Sequence, residues 1–246
     1  MTVHDDQDLS ASILDEEDGG PRPSRQRVII FSAAALAILL VGAAIGMLIT
    51  LASTGGDNVP DANSVDVGFA QDMSTHHLQA VSMASWVRDH TEDQEVKTLA
   101  FDIESTQKTQ VGTFAGFLDL WNQPESRPPD RQAMSWMATP SAGGMHDMGG
   151  MNMQGMQPGQ LMPGMATQEE LAKLRKQTGK DLDVYFLQLM IRHHTGGLSM
   201  AKYGQDHAAS APVRNLAHTI VVGQTAEVTY MTSMLTKRGG QPLPNS

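Results

Sequence analysis

Apolar and polar positions alternate in two ways along this chain. One early stretch is apolar throughout, and four later ones repeat with helical period. Val28 to Ala52, VIIFSAAALAILLVGAAIGMLITLA, runs 25 residues without a charge. At a rise of about 1.5 Å per residue, a helix of that length would cross a hydrocarbon core of roughly 30 Å. Arg22, Arg25 and Arg27 precede it, while Asp57 and Asp61 follow. The positive-inside rule then predicts a cytoplasmic N-terminus and a single-pass anchor, with everything after Ala52 outside. A cleaved signal peptide is the competing reading, although signal apolar regions run only about 7–15 residues.

Beyond a linker over 53–64, the apolar positions predict helices in pairs. The first spans about Val65 to His90, with Ser64 as N-cap. Thr91 with Gln94 has the spacing of a capping box for the second, which Asn122 and Pro124 stop after Trp121. Thr167 with Glu170 predicts another capping box, opening a short helix that closes at Gly179. The third long helix covers about Asp181 to His207. Ser210 is expected to cap the fourth, which ends at Gly239 and Gly240.

The pairs are copies of one another. DVGFAQDMSTHHLQAVSMA begins at Asp66 and DVYFLQLMIRHHTGGLSMA begins at Asp183, an offset of 117 (183 − 66). Carried without a gap from 66–121 onto 183–238, the offset matches 19 of 56 positions, among them Asp89/Asp206, His90/His207, Ile103/Ile220 and Gln107/Gln224. A duplicated helix–turn–helix unit predicts an all-α fold, two antiparallel hairpins forming a four-helix bundle over 65–240. Between the copies, Met134 to Met165 carries nine methionines and seven glycines. Glycine at this density does not sustain a helix, so the stretch reads as a long Met-rich loop.

Composition narrows the function classes. A formal net charge of −10 argues against nucleic acid, which needs a basic footprint. With no cysteine in the chain, disulfides, thiolate metal sites and a cysteine nucleophile are excluded. Residues 1–20 hold seven acidic residues and no Lys or Arg, so 1–27 reads as a disordered tail. No Glu has a His three residues later, which weakens a di-iron carboxylate enzyme as an alternative.

The duplicated stretch carries the chemistry. With Met73 at 0° on a helical wheel, His76 falls at about 300°, Met83 at about 280° and Phe69 at about 320°. His76 therefore lies between two methionines, and the second copy repeats this with His193 between Met190 and Met200. His77 and His194 are turned away by about 100°. One imidazole and two thioethers form a soft donor set, which selects Cu(I) and similar monovalent ions over zinc or magnesium. A lone Met at helical spacing is more often core than ligand, and an HH pair can be one packed and one solvated ring. Recurrence of the whole pattern favours ligands. His90 and His207 suit either secondary metal donors or partners of the helix dipole at C-termini. Met145, His146, Met148, Met151, Met153 and Met156 are further candidate donors, in a low-specificity capture segment.

These residues resemble the family catalogued as domain of unknown function 305. Its pattern of Asp, aromatic, Met, His-His and later Met-Ala is matched by Asp66, Phe69, Met73, His76, His77, Met83 and Ala84. Asp183, Phe186, Met190, His193, His194, Met200 and Ala201 match it again, and the resemblance covers about 64–240. It implies a ferritin-like helical bundle and, as in some members, extracytoplasmic copper binding without catalysis. The expectation is thus a membrane-anchored protein that sequesters Cu(I) or hands it to a copper transporter or cuproprotein. A metal-free helical scaffold is the alternative. Leu189 stands where Asp72 does, which argues against Asp72 as a shared ligand.

Overall fold

The protein is seen here as a computed structural model that describes residues 39–47, 59–137 and 160–244. The tail, most of Val28–Ala52, residues 53–58 and the candidate donors from Met145 to Met156 lie outside the described residues. Residues 39–47 are helical, in a unit separate from the one that begins at Val59. Among the described residues no helix is long and apolar enough to cross a membrane.

From Val59 onward the described residues are helical, with no strands. Helix α1 spans Val65–His90, α2 Gln94–Leu120, α3 Gln168–Leu174, α4 Gly179–His207 and α5 Ala211–Lys237, with a 3-10 turn at Ser135–Met137. Ser64 Oγ accepts from Val67 N and caps α1 as expected. The Thr167–Glu170 capping box opens α3.

Three local expectations are corrected. Asp93, not Thr91, caps α2, its Oδ1 accepting from the amides of Glu95 and Val96. Thr91 is committed elsewhere, because its hydroxyl donates to Asp183 on α4. Gly179 does not close α3, which ends at Leu174; it opens α4 at φ +54, a backbone state that suits glycine. Ser210 stands at the N-cap of α5 but makes no side-chain cap bond. The amides of Ala209 and Ser210 donate instead to the carboxylate of Asp66, at 2.9 and 2.8 Å.

These contacts orient the bundle. Asp66 at the start of α1 meets the α4–α5 turn, and Asp183 at the start of α4 meets the α1–α2 turn. α1 and α4 therefore run antiparallel, and each copy of the motif aspartate closes a turn of the other copy. α1 pairs with α2, α4 with α5, and the hairpins join through α1 against α4.

The core divides into two apolar clusters. One gathers Met83, Val87, Leu99, Ile103, Phe186, Met190, Met234 and their neighbours; the other gathers Phe69, Met73, Phe114, Leu118, Met200, Ile220 and theirs. The ends of the Met-rich stretch belong to the second cluster, with Met134, Met137 and Met162 buried in it. Asp72 is spent anchoring this region. It accepts from Met134 N, Trp136 Nε1 and Arg127 Nε at 2.6–2.9 Å. That leaves it no role as a ligand, in keeping with its replacement by Leu189 in the other copy.

Candidate metal centre

Between the two apolar clusters every long helix contributes polar side chains to one layer. α1 brings His76 and His77, α4 brings His193 and His194, and the four rings are fully buried. α2 and α5 bring Gln107 and Gln224, also buried. The 3.6-residue period places these groups on the same stripes as the leucines and methionines above and below them. They are core positions filled with polar atoms.

His76 and His193 meet at the centre. Their rings approach closely, with centroids 3.8 Å apart and planes tilted by 36°. The two copies of the motif thus share one locus. The methionines are shared across the copies as well, Met73 and Met200 lying in one apolar cluster and Met83 and Met190 in the other. Among the described residues, no three His, Asp or Glu side chains gather into a ligand set for a metal ion.

Hydrogen-bond partners fix the proton on three of the rings. His76 Nε2 lies 3.1 Å from the carbonyl oxygen of Pro163. A carbonyl can only accept, so Nε2 carries the hydrogen and Nδ1 keeps its lone pair. His194 Nε2 donates to Glu227 Oε2 at 2.7 Å, and His77 Nε2 to Gln110 Oε1 at 2.7 Å. Nδ1 of His76, His77 and His194, and both nitrogens of His193, have no hydrogen-bond partner among the described residues. The amide atoms of Gln107 and Gln224 are likewise unpartnered. Each buried polar atom left so costs about 1–3 kcal/mol, a burden that a purely structural core would shed.

Burial also keeps His76, His77 and His193 neutral. Desolvation lowers His76 to about 4 against the bond from Pro163, with a smaller push from His194. It lowers His77 to about 3, helped by His76 and opposed by Gln110. His193 is driven well below its ordinary value, first by burial and then by its histidine neighbours. At neutral pH these three rings therefore offer uncharged imidazole lone pairs, the form in which histidine binds a metal.

The other candidates lie elsewhere. His90 and His207 are exposed at the last residues of α1 and α4, stacked on Trp86 and tilted over Tyr203 respectively. Sequence reasoning left Gln107 and Gln224 without a role, although both copies carry the glutamine in an otherwise apolar stripe. That identity was the available signal. Gln110, Glu227 and Pro163 gave none, since the first two differ between copies and the third lies in a Gly/Pro-rich connection.

The chain belongs to the domain of unknown function 305 family, whose profile matches residues 66–235. It resembles the crystal structure of a family member from Streptomyces coelicolor, 40% identical with a TM-score of 0.62, covering 74% of this chain and 99% of that one. A family fragment from Deinococcus radiodurans is 29% identical at a TM-score of 0.54, covering 70% and 96%. CopM in its Cu(I)-bound form is 20% identical at a TM-score of 0.49, covering 71% and 98%. No curated protein matches the chain.

Proposed function

We propose that this is a membrane-anchored, extracytoplasmic copper-binding protein that takes up Cu(I) in the central histidine layer and stores it or passes it on, without catalysing a reaction. One observation carries the reading. Three buried histidines are held through Nε2 by a carbonyl, an amide and a carboxylate, which leaves Nδ1 free in a methionine-flanked core. Outer partners of this kind orient histidines that ligate metals. With only neutral glutamine amides beside the rings and no third His, Asp or Glu in a ligand set among the described residues, thioethers are the natural complement to imidazole, and that mixture prefers Cu(I). His76, His193 and the pairs Met73/Met200 and Met83/Met190 would supply the donors, with His77 and His194 beside them. Val28–Ala52 is assigned as the anchor and the Met-rich connection as a capture segment.

Competition titration of the full chain in detergent tests this. Cu(I) and Ag(I) should bind, and Zn(II) should bind far more weakly. His76→Ala with His193→Ala should abolish the tightest Cu(I) binding while helicity persists, because alanine is the better helix former. Deletion of 138–159 should lower capacity and spare the tight site. Unchanged binding in the double variant would leave the histidines as packing and favour the scaffold.

A further inference from the structure

The four histidine rings are inaccessible to solvent, so any exchange of a ligand with them requires part of the protein to move. Most of their surroundings are helices cemented by the two apolar clusters. One wall differs in kind. Residues 162–166 cross from α1 to α4 as an irregular strap, with Pro163 against His76 and Gly164 against the backbone of His193.

Few polar contacts hold this strap, and its side chains Met162 and Ala166 are buried at the edges of the two apolar clusters. Pro163 O accepts from His76 Nε2. Gln79 grips Ala166 at both backbone positions, Nε2 donating to Ala166 O at 2.9 Å and Oε1 accepting from Ala166 N at 2.7 Å. Gly164, at φ +79, lies against the backbone of Arg192 and His193, and a Cβ there would sit 3.0 Å from His193 Cα. A Cβ on Gly196 would overlap the Pro163 carbonyl. These features come from one copy each. Position 79 is Gln where its counterpart, 196 (79 + 117), is Gly, so one copy grips the strap and the other makes room for it.

We propose that the strap over 162–166 is the door to the histidine pair, latched by Gln79 and seated on Gly196, and that its opening sets the rate at which an ion enters and leaves. This rests on the copper reading for its ligand but not for its mechanics. The latch has a partial solvent exposure of its own, so water can take over its two bonds when the strap lifts. Parting α1 from α4 would open both apolar clusters along their length, whereas lifting the strap withdraws only Met162, Met165 and Ala166 from them. Opening the strap is the smaller disruption.

Gly196→Ala separates opening from unfolding. It replaces a mid-helix glycine by the best helix former, which favours α4, while the new methyl group cannot coexist with the seated Pro163. Gln79→Ala is the second variant, and Gln188→Ala is the control, because Gln188 clamps Gln241 O away from the strap. The full chain in detergent is treated with diethyl pyrocarbonate, which attacks neutral imidazole, and modification is read by residue. His76 and His193 should react far more slowly than the exposed His90 and His207 in the native chain. Both opening variants should speed them by roughly tenfold or more with helicity retained, and the control should not. In the second arm, Ag(I) release should accelerate in the same two variants with little change in affinity. Native reactivity equal to that of His90, or unaltered reactivity in both opening variants, overturns the door. If Ag(I) does not bind the native chain, the copper reading falls and the reactivity arm decides the door alone.

Discussion

The two hairpins are copies of one unit, and the positions where they agree do different work from those where they differ. They agree at Asp66/Asp183, His76/His193, His77/His194, Gln107/Gln224, Met73/Met190 and Met83/Met200. Those residues make the polar layer, its flanking sulfurs and the reciprocal contacts at the turns. They differ at Asp72/Leu189, Thr75/Arg192 and Gln79/Gly196, and each of these departures deals with the chain that joins the hairpins. Asp72 anchors Met134 and Trp136, Arg192 pairs with Glu170, and Gln79 holds Ala166. A duplicated site stays symmetric where it meets itself and diverges where a single, unrepeated segment must be accommodated.

The largest expected effect tests the shared half. Three buried histidines have depressed pKa values, so the unfolded chain binds protons that the folded chain refuses. Stability is full above about 6.5 and is lost as pH falls toward about 4 for His76 and about 3 for His77. Each group contributes about 1.4 kcal/mol per pH unit across its window. Thermal melts between pH 7 and 4 should therefore show a steep fall, with a shallower slope in His76→Gln/His193→Gln. A flat profile would mean that the layer is not desolvated.

A second measurement asks whether the copies form one centre or two. Saturating Ag(I) at about 100 times its dissociation constant should stabilise the protein by about 2.7 kcal/mol. Either His76→Ala or His193→Ala alone should remove nearly all of that gain if the close pair is a single locus. Loss of about half from each would restore two independent sites.

The reciprocal aspartates should prove unequal. Asp66 receives two backbone amides at the start of α5, and its change to Ala should cost about 2 kcal/mol by denaturant unfolding. Asp183 receives one hydroxyl and is raised in pKa by burial, so Asp183→Ala should cost about 1 kcal/mol or less. Equal costs would break the claim that the two turns are closed differently.

The smallest effect concerns Gly197, which answers Ala80 in the other copy. A Cβ there would lie 3.0 Å from His76 Cε1 and 3.2 Å from Gln224 Oε1. Gly197→Ala gains helix propensity and crowds the ring, so net stability should move by less than about 1 kcal/mol. Ag(I) affinity should fall more clearly than stability, whereas Ala80→Gly should act on stability alone.

Much of this was legible in the residues before any coordinates. The spans of α1 and α4 followed from apolar period and caps, and the duplication gave the pairing of hairpins. Thr91 was misread because its hydroxyl is claimed by Asp183 from 92 positions away (183 − 91), a tertiary demand that no local motif reveals. The wheel placed each histidine between methionines of its own helix, since a wheel describes one helix only. Antiparallel packing of α1 on α4 then brought Met73 toward Met200. Trp136 and Met162 read as loop because glycine and proline surround them, yet both pack into the bundle.

The crossed aspartates have a consequence for what counts as a whole molecule. Asp66 accepts the turn amides of the second hairpin and Asp183 the Thr91 hydroxyl in the turn of the first, so each hairpin lends a carboxylate to the other's end. Each is half of a mutual template. Residues 59–137 and 160–246 produced as two separate polypeptides should remain incompletely folded apart and assemble when mixed, because the covalent link between them contributes proximity and not pattern.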